Sequence, residues 1–296
     1  MTQDNLISDP ILADITDAFM CHHQDLMQYN CFSLEKRKRI KPIIVGNPEN
    51  GNFIEIRGDP KYGIATIWDM DVIIWLITWV RHRARQGLPT SEYIEFDMRQ
   101  MLVDLGRNTG GQGYEELKRA IERLRFTSVT TNFREADNKR VVDFNWIQNR
   151  DYTENYEGAI LKIRLRMAPW LHKNALNEKF LLSFDNRYFK MKKAIERCLY
   201  LIIRKHGGKQ EDGYFFTFRQ IYNKCNSSDR FTNFAIVLRD ITKKQVLADY
   251  YISSFIKEGE EILHFVKRTC ILCPIEFREV VVPNSQKKVK FLGSTN

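Results

Sequence analysis

The residues that first invite a chemical reading lie in LGRNTGGQGYEELKRAIERLRFTSVTTNF, residues 105–133. Gly106 and Gly111 have the spacing of the two glycines of a phosphate-binding P-loop. That loop also needs Lys and then Ser or Thr directly after the second glycine, because the ammonium reaches the β/γ-phosphates and the hydroxyl holds Mg²⁺. Gln112 and Gly113 stand there instead, so the loop is not expected to hold a nucleotide. The better reading is a turn between two helices. Its glycines let backbone approach backbone, with positive φ where needed, and leave free amides at the next helix N-terminus for a phosphate. On this reading Gly111→Val should disturb the helix that begins near Tyr114.

Other chemistry is thin. Cys21, His22 and His23 resemble metal ligands by type, but adjacent side chains diverge on a helix or a strand. Cys270 and Cys273 form one Cys-x-x-Cys with no second pair, which reads as reduced cysteines near a domain end. The carboxylates are interleaved with Lys and Arg, as on solvated helix faces. The expectation is a non-enzymatic protein with no catalytic residue, no metal and no cofactor.

Nucleic-acid contacts are better supported. In the first region the candidates are Arg107, Asn108, Thr109 and Gln112 of the turn, with Lys118 and Arg119 on the helix behind it. That face also carries Glu122 and Arg123, so its charge is mixed. A second helix follows NSSDR and offers Ser227, Ser228, Arg230 and Asn233 at or near its N-terminus, with Arg219 on the preceding helix. Groove-reading helices touch base edges mainly through N-terminal residues, and Arg and Asn can bond guanine and adenine bidentately. Ser227 and Ser228 serve equally well as caps. Lys190, Lys192, Lys193, Arg204, Lys205, Lys243 and Lys244 are candidate phosphate contacts, which position without reading sequence. The acidic hairpin tip KEGEE (257–261) is a poor phosphate binder.

The elements that must hold these residues recur in order. Residues 66–88 read as a helix capped by Thr66 and ended by Gly87 and Pro89. A strand (92–96), a helix (97–106), the glycine turn, a second helix and a hairpin around 135–140 follow. The same order returns as a helix (191–208), strand (213–218), helix (219–226), helix (231–244) and hairpin around IKEGE. Helix, strand, helix, turn, helix and hairpin is the layout of a winged helix-turn-helix. The expected fold is therefore α+β with two tandem winged helix-turn-helix domains. They span 36–184 and 185–275, between an N-terminal segment (1–35) and a C-terminal tail (276–296).

Charge agrees with this division. The formal net charge of the 296 residues is +9. Residues 1–184 carry 25 basic and 25 acidic side chains, whereas 185–296 carry 21 and 12. The excess thus falls in the second region, the likelier seat of a polyanion contact. The longest apolar run, VIIWLITWV, has nine residues, against roughly 20 for a bilayer span. With an opening that lacks a secretory pattern, a cytoplasmic location is expected.

With those residues in view, the chain resembles the replication initiator protein A family of bacterial plasmids. The resemblance is carried by GIATIWDMDVIIWLITWV, GRNTGGQGYEELKRAIERLRFTSVTTN, APWLHKNAL, RYFKMKKAIERCLYLIIRKHGG and FTFRQIYNKCNSSDRFTNFAIVLRDI, in the family's order across about 36–252. It implies paired winged-helix domains that bind repeated duplex sites (iterons) at a plasmid origin. It also implies help in opening adjacent DNA and recruitment of the host initiator and replicative helicase. The second domain would be the main reader, and the first would contact DNA and mediate a homodimer in equilibrium with monomer. Repression of the protein's own promoter and binding of single-stranded DNA are further implications. A promoter-only repressor of the same fold and a nicking Rep enzyme are the alternatives.

Overall fold

The structure, a computed structural model, describes residues 20–46, 53–132, 141–154, 160–208, 210–247, 249–270, 279–281 and 288–290. The hairpin tip at 135–140, residues 1–19, Cys273 and most of the tail lie outside the described residues. The chain divides into two units, Met1–Gln24 with Cys31–Lys190 and Asp25–Asn30 with Met191–Asn296. Among the described residues no helix is long and apolar enough to cross a membrane.

In chain order the first elements are β1 (Cys21–His23), α1 (Gln24–Gln28), β2 (Ile43–Gly46), β3 (Phe53–Arg57), α2 (Met70–Arg85), β4 (Tyr93–Phe96), α3 (Met98–Asp104) and α4 (Gly111–Phe126). They continue with β5 (Ser128–Thr131), β6 (Val142–Asn145), β7 (Ile147–Glu154), β8 (Ile160–Met167), α5 (Pro169–Ala175) and β9 (Leu181–Ser183). In the first unit, α2 is buried on all sides from Met70 to Val80, as a helix without a polar face must be. It starts four residues after Thr66. Residues 66–69 form a turn in which the Thr66 amide donates to Asp69 Oδ2 at 2.7 Å, and Asp69 takes the cap position. Asp97 caps α3 by accepting from the Arg99 amide at 2.6 Å.

The sheets of this unit are β1-β9, β2-β3-β5-β6 and β4-β8-β7. Here the hairpin expected to close the first helix set is corrected. β5 and β6 do pair, Val129 opposite Phe144, but they extend the sheet begun by β2 and β3. The strand between the helices, β4, pairs with β8 instead, Ile94 opposite Leu165 and Phe96 opposite Ile163. The reason is burial. β8 alternates charged residues with Ile163, Leu165 and Met167, which all enter the core, whereas β5 offers Val129 and Thr131. β7, a polar edge strand with no apolar alternation, left no readable period.

The N-terminal segment is also corrected. Met20, Cys21, Leu26, Met27, Cys31 and Phe32 are buried, and β1 pairs with β9, so residues 20–33 are part of the packed fold rather than a loose leader.

The second unit adds α6 (Ala194–His206), β10 (Tyr214–Thr217), α7 (Phe218–Cys225), α8 (Phe231–Lys244), β11 (Tyr250–Lys257), β12 (Glu260–Lys267), β13 (Glu279–Val281) and β14 (Lys288–Lys290). β10, β12 and β11 form one sheet, and β13 pairs with β14. Glu258 (φ 51°) and Gly259 (φ 80°) make the two-residue turn from β11 to β12, the positive-φ geometry that matches strand twist. Tyr200, Phe218, Phe234, Tyr250 and Phe265 fill the core. The Tyr250 hydroxyl donates to the Gly207 carbonyl at 2.9 Å. Asn30 is bound here too, its side chain donating to the Cys225 carbonyl at 2.9 Å.

Candidate nucleic-acid interface

α8 puts Phe234, Ala235, Leu238 and Ile241 into the core. The 3.6-residue period then leaves Thr232, Asn233, Ile236, Arg239 and Lys243 exposed on the opposite face. Arg230 occupies the cap position in an extended conformation, and no side chain caps the helix. The amides of the first turn therefore face outward with the positive end of the helix dipole.

The turn before α8 is held from several sides. Asn226 ends α7 in the left-handed region (φ 51°). Ser227 Oγ accepts from the Asp229 amide at 3.2 Å, and the Tyr222 hydroxyl donates to the Asp229 carbonyl at 2.8 Å. The Arg219 guanidinium lies 3.6 Å from the Phe231 ring centroid, which steadies the first turn of α8 through a cation–π contact. The structure thus brings Arg219, Ser227, Ser228, Arg230 and Asn233 together around one helix start. Ser227 acts within the turn, whereas Ser228, Arg230 and Asn233 are exposed.

The expected phosphate contacts separate. Lys192 and Lys193 flank the start of α6. Lys193 Nζ lies 3.1 Å from Asp240, and Lys244 Nζ is 2.9 Å from the same carboxylate. The two ammoniums hold Asp240 below the usual carboxylate range. Lys193, Lys243 and Lys244 therefore belong to the C-terminal end of α8, about 20 Å along the helix from Arg230 at 1.5 Å per residue, and Lys192 is exposed next to Lys193 in sequence. Arg204 and Lys205 sit half-buried at the other end of α6 and do not join them. Lys190 is exposed and closes the first unit. Arg239 leans onto β12, its Nε and Nη2 each 2.8 Å from Glu261.

α4 differs in the first unit. Arg107 turns inward, donating to Asp71 Oδ2 at 2.8 Å and to the Trp68 carbonyl. Asn108 Oδ1 accepts from the Gly110 amide at 2.6 Å. Gln112 donates to Glu116 at 3.0 Å, and Lys118 pairs with Glu115 at 3.0 Å. Thr109 and Arg119 are exposed. Arg123 binds buried Asp69 through two bonds of 2.6 and 2.7 Å. The expectation at Gly111 is corrected: its φ is not positive, and a Cβ there would meet open space. Gly113 is the constrained position, because a Cβ would collide with the Asn108 carbonyl where α4 crosses the preceding chain. Positive φ falls at Gly106 (62°).

Two buried or half-buried histidines, His22 in β1 and His206 at the end of α6, stay neutral. Burial, aided by Lys224 and Lys205, lowers His206 to about 4, and burial alone lowers His22 to about 3. Among the described residues no group of three or more His, Cys, Asp or Glu side chains is placed to hold a metal. Ile236 was not singled out from the sequence. Its signal is an isoleucine lying off the apolar stripe of its own helix.

The family model described as "Replication initiator protein A" matches residues 22–252, reaching back beyond residue 36 to include α1 and all of β1 but Cys21. A protein of Wigglesworthia glossinidia brevipalpis named as a candidate replication protein is 31% identical over 224 residues, covering 74% of this chain and 80% of that protein. Two solved structures of domains 2 and 3 of RctB are similar in fold, each at 14% identity. One has a TM-score of 0.60 and covers 82% of this chain and 97% of its own. The other has a TM-score of 0.56 and covers 83% and 97%. At that identity the likeness concerns the mixed α/β fold.

Proposed function

The chain belongs to the replication initiator protein A family, and on that premise we propose that it starts plasmid replication by binding repeated duplex sites at an origin, without catalysing a reaction. Its two units act as tandem winged helices. In the second, β11 and β12 are the wing and α8 is the groove-reading helix. In the first, the β4-β8-β7 order repeats the β10-β12-β11 order, so β7 and β8 are the wing. The observation that carries this reading is the outer face of α8. It joins an uncapped N-terminus, Arg230 and Asn233 at one end to Lys243 and the Lys193–Asp240–Lys244 group at the other. That is a base-reading end and a phosphate-holding end on one helix.

The first unit supplies secondary DNA contact and the surface of a homodimer in equilibrium with monomer. Recruitment of host initiator and helicase, opening of adjacent DNA, single-stranded DNA binding, repression of the protein's own promoter and a cytoplasmic location complete the proposal. A footprint of the full chain on DNA flanking its own gene tests it. Protection of several direct repeats is expected, with affinity falling steeply between 50 and 200 mM salt, about 10³-fold for six phosphate contacts. A single protected promoter site with unimpaired plasmid maintenance on gene loss would favour a repressor. Nicking or covalent attachment on supercoiled DNA with Mg²⁺ would favour a Rep enzyme.

A further inference from the structure

A lone exposed apolar residue needs no explanation on an ordinary surface. Ile236 differs by where it stands. It is 60% exposed, although the apolar stripe of α8 is already complete without it. It is β-branched, and so a poorer helix former than Ala or Lys. Helical spacing places it one turn beyond Thr232 and Asn233 and one turn before Arg239 and Asp240, with Lys243 two turns on. Its neighbours include Asn233, which can bond a base edge, and Lys243, which attracts phosphate, while Arg239 is bonded to Glu261 and Asp240 is held by two lysines.

In the major groove, the feature that rewards such a side chain is the C5-methyl of thymine, the apolar element of the base-edge code. We infer that Ile236 reads a thymine methyl within the bound site, next to the base addressed by Asn233. This rests on the proposed placement of α8 in the groove and names a specificity determinant within it. Ile256 is the internal control. It is as exposed, at 65%, but it lies directly across the strand pair from Glu261, beside the acidic tip with Glu258 and Glu260. Glu261 is neutralised by Arg239, but Glu258 and Glu260 of the tip repel phosphate, so no methyl contact is assigned to Ile256.

The test uses the full chain and a duplex it selects from a random-sequence pool, with each thymine replaced in turn by deoxyuridine, which lacks the methyl. One or two positions should weaken binding about four-fold, the worth of burying one methyl group. Ile236→Ala should bind the thymine duplex about as weakly as the wild type binds the deoxyuridine duplex, and should lose all sensitivity at that position. Ile256→Ala should keep the wild-type pattern. Deoxyuridine without effect at every position overturns the inference, as does an equal loss in wild type and Ile236→Ala. A change in self-association on Ile236→Ala with the methyl response intact would assign the residue to a protein interface instead, and also overturns it. Arg230→Ala and Asn233→Ala separate the two levels. If neither weakens binding, the placement of α8 fails and the inference with it. If both do while the thymine scan is silent, only the inference fails.

Discussion

α4 and α8 occupy corresponding places in their units and have similar buried faces, yet their outer faces differ. Aligned by their buried positions, Gly113 on Phe234 and Leu117 on Leu238, Gln112 corresponds to Asn233, Glu115 to Ile236 and Lys118 to Arg239. The face of α4 holds Glu115, Glu116 and Glu122 against Lys118 and Arg119, and much of that charge is paired within the unit. The α8 face leaves Arg230 and Lys243 among polar residues, with Asp240 shared by two lysines. On the proposed function, this difference in outer face assigns base reading to α8 and only nearby contact to α4.

The largest expected effect tests what the glycine turn is for. Gly113→Val drives a branched side chain into the Asn108 carbonyl, and backbone cannot yield as a flexible side chain can. The loss of stability should be on the order of 3 kcal/mol or more. Gly111→Val meets open space and should stay within about 1 kcal/mol, since Val and Gly differ little in helix propensity. Urea unfolding followed by tryptophan fluorescence reads this well. All five tryptophans, Trp68, Trp75, Trp79, Trp146 and Trp170, lie in the first unit. Equal damage from the two variants would break the account of α4 as a helix placed by close packing at Gly113.

Next in size is the reading end of α8. Arg230→Ala and Asn233→Ala should each cost about 1–3 kcal/mol on the selected site and far less on random duplex. Both residues are exposed, so the unfolding midpoint should not move. Equal losses on specific and random DNA would make them phosphate contacts and erase the distinction between the two ends of α8.

How much of this was legible follows from range. α8 was bounded from sequence at the residues where it begins and ends, because Phe234, Ala235, Leu238 and Ile241 repeat at helical spacing and Asn226–Arg230 is plain turn chemistry. In β8, Ile163 and Leu165 alternate with Lys162, Arg164 and Arg166, a local strand period. β4 is legible as a strand too, but not its pairing with β8, because Phe96 and Ile163 are 67 residues apart and a period says nothing about pairing. The β5–β6 hairpin is legible because its strands are near in sequence, but its place in the sheet of β2 and β3 is not. Likewise Arg107 reads as a free cation in GRNTGG, and only the fold shows that buried Asp71 claims it. Candidate contacts near a turn were found by type, but which cations remain unpaired depends on long-range neighbours.

Acid offers a smaller effect that both units should share. The folded chain keeps His206 neutral down to about 4 and His22 down to about 3, against an ordinary value near 6.5. Below 6.5 the unfolded chain binds more protons, so this stability is full above 6.5 and is lost as pH falls toward 4 and then 3. His206 keeps solvent contact, so its slope should fall well short of the ~1.4 kcal/mol per pH unit that one proton sets as a ceiling. His206→Gln should flatten the dependence between pH 6.5 and 4 in hydrogen exchange of α6 and leave the tryptophan-monitored transition unchanged. A slope that persists in α6 would place the titration elsewhere.

The smallest effect is expected where the sequence first drew attention, on the outer face of α4. Arg119→Ala removes an exposed cation from a face with three carboxylates and two cations, and Gln112→Ala removes a side chain already bonded to Glu116. Neither change leaves a buried group unpaired, so folding should be unaffected. If α4 only lies near the DNA, each should alter affinity for the selected site by less than about 0.5 kcal/mol, the range of ordinary surface substitutions. Arg119→Ala should reduce the salt slope by at most about one unit. The informative variant is the double substitution Glu115→Gln with Glu116→Gln, which removes two negative charges without changing shape. It should strengthen binding to random and selected duplex alike, because lost repulsion carries no sequence information. If it strengthens the selected site alone, or if Gln112→Ala costs as much as Asn233→Ala, then α4 reads bases as α8 does, and the contrast between the two helices fails at its root.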